Sequence, residues 1–298
     1  MNTLTLEAHL RSLYPDERAF LQGTQETFWT RYERWSMLRV PVFALNAPTQ
    51  AEVRRALRRA LVVSYLELPS AMKPANTVVY LCRDHAYALE KLPAAMRRNV
   101  RRGAAALAIQ PLSTERVIQH GYSAYADTRQ RVGLSDADRR SFERRFLERA
   151  RSPANVYLGA WLGERLIAFL SITEVADWVE FESLFSCTDA LEYRPNDTLL
   201  YHALRYYLVE SPRALISYGI RSVQSQAEEG LHQFKMKVGF EAQAVHRAFV
   251  LHPVLRPFVN NFSHAVLRRL LKYFPQNRPL RKAEGLIATL SNKARVQT

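Results

Sequence analysis

Cysteine is scarce in this chain. Among 298 residues there are two, Cys82 and Cys187, far apart in sequence. That pair excludes a disulfide-stapled scaffold and suits a reducing compartment, so a cytoplasmic protein is expected. Glycine is scarce as well: ten residues, none between Gly163 and Gly219. Neither a Walker loop nor a Gly-x-Gly-x-x-Gly turn occurs, which argues against P-loop and dinucleotide-binding folds. Long apolar runs are absent. The longest, such as ALVVSYLEL, reach strand length and fall short of the ~20 residues a membrane helix needs. The start, MNTLTLEAHLRSL, has neither a basic head nor an apolar core, so no signal peptide and no transmembrane segment are expected. His120, His202, His232, His246, His252 and His264 show no ligand spacing with the cysteines, so no metal site is expected.

Negative charge is also in short supply. The chain carries 42 Lys+Arg against 28 Asp+Glu, a net charge of +14. Residues 253–298 hold nine Lys/Arg against Glu284 alone. Such a bias points to a polyanionic partner, tRNA or an anionic membrane surface, or else to a solvated basic face. What is plentiful is apolar and aromatic: 48% apolar, with 14 Tyr and 14 Phe. That is a globular composition.

Periodicity gives a coarse map. Residues 1–38 read as helical, with Phe20, Phe28, Trp29, Tyr32 and Trp35. A strand at VPVFALN follows, then a helix from Thr49 or Gln50. Strands VVSYLEL and TVVYLCR come next. LEKLPAAMRRNVRRG reads as a basic helix stopped at Gly103. A strand (AALAIQPL), helices broken near Gly121, and three antiparallel strands over 155–187 follow, with turns at 162–164 and 176–177. NDTLLYHALRYYLVE reads as a helix capped by Asn196 or Asp197, and ALISYG as a strand. The tail beyond 253 reads as two helices split by Pro275 and Pro279. Its stripe of Phe258, Phe262, Val266, Leu270 and Phe274 beside Arg268, Arg269 and Lys272 fits either an anionic membrane or packing on its own domain.

GLHQFKMKVGF, residues 230–240, reads as a helix with Leu231, Phe234 and Val238 on its apolar face. Lys235 and Lys237 are expected to point away from that face, with a glycine stop at Gly239. FEAQAVHRAFVL continues as a strand. Antiparallel strands followed by helix, strand, helix and strand imply an α/β (α+β) sheet with helices packed on it.

That order resembles the GNAT superfamily of N-acyltransferases, many of which carry an aromatic, a tyrosine, three residues and Gly-Phe. Here the order is Phe234, Lys235, Met236-Lys237-Val238, Gly239-Phe240, with lysine in the tyrosine's place. The Phe-Lys pair is similar to the Fem-type branch, peptidoglycan aminoacyltransferases and their relatives. LPAAMRRNVRRG and YRPNDTLLYHALRY resemble segments of that branch too. The resemblance covers about 75–252. It implies a GNAT fold with a mixed, mostly antiparallel central sheet flanked by helices. The implied organisation is an N-terminal α/β region at 1–90, possessing a reduced GNAT-like unit, a GNAT domain at 91–252, and a basic helical extension at 253–298.

The resemblance also implies direct acyl transfer to an amine of a small-molecule or peptide-like acceptor. Acyl-CoA is the expected donor. Aminoacyl-tRNA is the alternative, and a non-catalytic GNAT-fold binding module is a third reading. The departure lies in the donor loop. Where the superfamily has an Arg/Gln-x-x-Gly-x-Gly/Ala pattern, this chain has Tyr193-Arg194-Pro195-Asn196-Asp197-Thr198. Leu184, Phe185, Arg194, Asn196, Asp197, Thr198 and Leu199 are the expected donor-binding residues, at a strand end and a helix N-terminus. On WVEFESLF, strict alternation places Glu180 and Glu182 on one face, as candidate bases, and Phe181, Ser183 and Phe185 on the other. Lys235 is the candidate acid or oxyanion stabiliser, against the alternative of an exposed helix lysine. Tyr218, Gln224 and Gln226 are expected to contact the acceptor. Localisation is expected to be cytoplasmic, with a peripheral position at the inner membrane face as the further option.

Overall fold

The computed structural model describes residues 4–33, 35–133, 138–221, 229–258, 260–274 and 280. In chain order the first elements are α1 (Leu6–Leu13), β1 (Phe20–Gln22), β2 (Phe28–Glu33), β3 (Ser36–Val40), α2 (Gln50–Leu57), β4 (Val62–Glu67) and β5 (Thr77–Cys82). Next come α3 (Ala94–Ala106), β6 (Ala108–Leu112), α4 (Thr114–His120), α5 (Tyr122–Arg131) and α6 (Arg139–Arg149). The strands β7 (Asn155–Leu162), β8 (Arg165–Val175) and β9 (Trp178–Ser186) follow, then α7 (Pro195–Arg205) and β10 (Leu215–Ile220). The last elements are α8 (Glu229–Val238), β11 (Glu241–Leu251) and α9 (Asn261–Tyr273).

The elements group into two compact units, each discontinuous in sequence. One comprises the described residues of 1–17, 78–221 and 227–243; the other comprises those of 18–77 and 244–298. This division differs from the consecutive blocks 1–90, 91–252 and 253–298. Residues 1–17 and 78–90 group with the larger unit, and β11 runs from one unit into the other.

The smaller unit holds strands in the order β1-β2-β3-β4-β11. Helix was expected over 1–38; instead 20–40 is a three-stranded meander. Phe20 faces Thr30, Gln22 faces Phe28, and Phe28 faces Val40. Gln25 and Glu26 turn the first hairpin at φ 51° and 57°. Aromatic side chains satisfy strand packing as well as helical spacing. Trp29 is fully buried against Met37, Ala56 and Val63. VPVFALN is not a strand either: β3 ends at Val40, and Pro41 has no N–H to extend the ladder. α2 starts as expected, with Thr49 Oγ1 accepting from Glu52 N.

The larger unit holds strands in the order β5-β10-β9-β8-β7-β6, antiparallel except for β9 beside β10. Two apolar clusters cover its faces. Leu170, Ile172 and Phe181 join Met96 and Val100 of α3, Leu200 and Leu204 of α7, and Val238 of α8. Phe169 and Phe185 join Val117, Tyr125, Phe142 and Phe146 of α4, α5 and α6. Gly103 does not stop α3, which runs on to Ala106. Its role is close approach: a Cβ there would stand 1.9 Å from Thr198 Oγ1 and 3.1 Å from the Tyr193 carbonyl.

Candidate functional site

The site begins where two parallel strands stop pairing. Between β9 and β10 the rungs are Leu215–Trp178, Ile216–Val179 and Ser217–Glu180. β9 then runs on to Ser186 and β10 to Ile220. Phe181 and Tyr218 line the wedge past the last rung, with ring centroids 5.9 Å apart. Phe240 closes it, 5.3 Å from Tyr218.

A bulge accompanies this divergence. Across β8, Ile172 faces Phe181 and Ser171 faces Ser183, so Glu182 is an extra residue. The expected alternation therefore fails at one point. Phe181 packs with Tyr207 and Tyr218, whereas Phe185 packs with Tyr125 on the other face of the sheet. Glu180 and Glu182 do share a side with Thr173, which faces Glu180 and whose hydroxyl donates to Glu182 Oε1 at 2.5 Å.

α8 brings Lys235 to the wedge. Gly239 ends the helix at φ +114°, and Phe240 N returns to the Lys235 carbonyl at 3.1 Å. Lys235 was expected to face outward, but it is 6% exposed. Its position explains this. It follows half-buried His232 by three residues and precedes fully buried Val238 by three, which is the helix's inner face, whereas Leu231, expected on that face, is exposed. The Lys235 ammonium donates to the Tyr218 carbonyl at 2.7 Å. It stands 4.2 Å from the Tyr80 ring centroid and 4.3 Å from that of Tyr218. Cation–π attraction replaces part of the hydration lost on burial. The Tyr80 hydroxyl in turn shares a hydrogen bond with His232 Nδ1 at 2.9 Å.

The two carboxylates differ in setting. Burial pushes Glu180 up to about 8; the negative charge of Glu182 adds to the push and Lys235 opposes it. Glu182 is clamped instead. Arg149 forms an ion pair with it, and Arg149 Nη2 also donates to Asn155 Oδ1 at 2.6 Å. Its two oxygens are thus occupied, one by Arg149 and one by the Thr173 hydroxyl.

At the tip of α7, Pro195 occupies the first turn and Arg194 precedes it at φ 57°, so neither Asn196 nor Asp197 is the cap. Asp197 is buried and accepts from Asn99 Nδ2 at 3.1 Å. Burial pushes its carboxyl above the usual range, opposed by that hydrogen bond and by Arg194. Thr198 is fully buried and its hydroxyl donates to the Arg194 carbonyl. Leu199 and Phe185 are enclosed in the core, Leu184 and Asn196 are half-buried, and Arg194 is exposed.

The structure thus brings Lys235 and Tyr218 into contact, with Glu180 near enough to feel the charge of Lys235 and Glu182 paired to Arg149. It sets Arg194, Asn196, Asp197 and Thr198 apart, under α3. Gln224 and Gln226 lie outside the described residues. Tyr80, His232, Arg149 and Thr173 were not anticipated. Arg149 ends a helix with six other charged residues, and nothing in that pattern marks it as the inward one. Among the described residues no group of three His, Cys, Asp or Glu side chains converges, and no helix is long and apolar enough to cross a membrane.

No family model matches the chain, and no curated protein matches it. Solved structures do. FemX aligns over 78% of this chain and 85% of its own, with a TM-score of 0.53 and 8% identity. L-PGS from Bacillus licheniformis aligns over 83% of this chain and 87% of its own, with a TM-score of 0.51 and 11% identity. A conserved protein of unknown function from Bacteroides thetaiotaomicron aligns over 81% and 87%, with a TM-score of 0.50 and 13% identity. Together with the strand order, the β9 bulge and the divergence of β9 from β10, these likenesses establish that the chain has a GNAT-like, Fem-related fold.

Proposed function

We propose that this chain transfers an acyl group directly from an activated ester to an amine, and that the donor is an aminoacyl-tRNA and not an acyl-CoA. The observation that carries the reading is Lys235: a buried ammonium, fixed over two tyrosine rings, at the point where the sheet opens. Glu180 takes a proton from the attacking amine. The C–N bond forms, and the Lys235 ammonium stabilises the oxyanion of the tetrahedral intermediate. The ester C–O bond then breaks, and the proton removed from the amine ends on the leaving hydroxyl. The cycle is proton-neutral and needs no metal.

Two features support the donor class. A CoA pyrophosphate on the α7 tip would meet the Asp197 carboxylate, and α3 packs through Gly103 directly onto Thr198. Arg98, Arg101 and Arg102 are exposed on α3, as a polyanion would require. The resemblance of Phe234-Lys235 to the Fem-type branch points the same way.

Melting curves and a transfer assay test the donor. CoA, acetyl-CoA and long-chain acyl-CoA should leave the melting temperature unchanged. Total tRNA charged with labelled amino acids should be retarded by the protein and yield labelled amide with an amine panel. A ligand held only by the native state at ~100 times its Kd stabilises by about 2.7 kcal/mol, which a melt detects. Such a shift with any CoA species would return the donor to acyl-CoA. Label left wholly on the tRNA, with no CoA shift, would favour the non-catalytic reading.

Glu180 supplies a pH signature. Transfer should rise about tenfold per pH unit up to about 8 and then level, because the base must be ionised. Glu180→Gln should remove that limb. The sign for stability is opposite. The folded value lies above the ordinary 4.5, so the fold favours the protonated group. Stability from this group is therefore present below 4.5 and lost as pH rises through about 8. Urea unfolding across that window should show the fall in the native chain and not in Glu180→Gln.

A further inference from the structure

α9 is a helix with an exposed apolar side among the described residues. It spans Asn261–Tyr273 and opens on Asn260, whose side chain accepts from Ser263 N. Val266 is 42% exposed, Leu270 39%, Tyr273 70% and Phe274 58%. At 3.6 residues per turn, Val266, Leu270 and Tyr273 fall in one narrow stripe along the axis. Leu267 and Leu271, further round the helix, are half-buried. The side chains of Phe258 and Phe262, the N-terminal members of the expected stripe, lie outside the described residues. Arg268, Arg269 and Lys272 are exposed on the remaining face. No Asp or Glu occurs between Glu241 and Glu284.

We infer that α9 is a docking element for an anionic lipid bilayer, lying in the interface with Val266, Leu270, Tyr273 and Phe274 inserted and Arg268, Arg269 and Lys272 on lipid phosphates. An exposed apolar stripe bordered by cations, with no acid nearby, fits that surface. A nucleic acid would use the cations but gains little from Val266 and Leu270. Self-pairing would bury the stripe, but it would set three cations against three. Tyrosine and phenylalanine at the helix end suit the headgroup level, where amphipathic rings concentrate. This inference is independent of the transfer reaction.

Sedimentation with vesicles tests it, using the full chain. Binding to phosphatidylglycerol–phosphatidylcholine vesicles should exceed binding to pure phosphatidylcholine by at least about tenfold at low salt. Val266→Ser with Leu270→Ser, and separately Arg268→Gln with Arg269→Gln and Lys272→Gln, should each weaken anionic-vesicle binding at least about tenfold. Thermal melts should be unchanged, since these side chains are exposed. No binding to anionic vesicles, equal binding to both compositions, or full binding by either variant would overturn the inference. So would a dimer in solution that Val266→Ser with Leu270→Ser dissociates.

Discussion

Lys235→Ala should lower turnover by about 10²- to 10³-fold, the cost of removing one preorganised oxyanion donor. The fold should survive. The ammonium is bonded to the Tyr218 carbonyl and stands over the Tyr80 and Tyr218 rings, so its loss leaves one carbonyl short and two rings without a cation. An unpaired buried carbonyl costs about 1–3 kcal/mol, offset by no longer burying a charge. The kinetic split identifies the role. An interaction made only with developing charge lowers kcat with KM nearly unchanged, whereas a binding contact raises KM. Lys235→Arg should fail to restore turnover, because a planar guanidinium is a different shape and reach from a point charge held between two rings. Small alkylammonium ions added to Lys235→Ala should recover part of the rate by occupying the vacated space. Wild-type turnover in Lys235→Ala would remove this lysine from the chemistry.

How far this site could be read from sequence depends on the residue. The Phe-Lys-x-x-x-Gly-Phe segment marks Lys235 through resemblance, while helical spacing misleads: position 235 shares its face with His232 and Val238 and is inward, and Leu231 is exposed. The strands β7, β8 and β9 are legible because turns at 162–164 and 176–177, where Gly163 and Ala176 take positive φ, separate strand-length runs rich in apolar and aromatic residues. The Glu182 bulge is not, since one inserted residue leaves composition unchanged and shows only as the exchange of Phe181 and Phe185 between faces. Gly103 illustrates the same limit. A glycine after a basic run reads as a helix stop, but here the helix continues and the missing Cβ admits Thr198. Long-range pairs such as Arg149 with Glu182 leave no local trace.

Glu52→Ala should be the most destabilising single change in the smaller unit, by about 3–5 kcal/mol, the usual cost of breaking a buried ion pair from one side. Glu52 and Arg39 are each 1% exposed as side chains and meet at 3.2 Å. Glu52 also accepts from the Trp29 indole at 2.9 Å and from Thr24 Oγ1 at 2.9 Å. Arg39 donates to the Asn46 carbonyl at 2.6 Å. One carboxylate on α2 thus ties β2, β3 and the hairpin turn together. Deleting it strands a guanidinium in the core and leaves the indole N–H unpaired. Replacing both charges, as Arg39→Met with Glu52→Leu, should recover a large part of the loss, because no lone charge then remains buried. Urea midpoints of the two singles and the double decide the matter. A double variant as unstable as the sum of its singles would mean that packing, not charge, sets the cost.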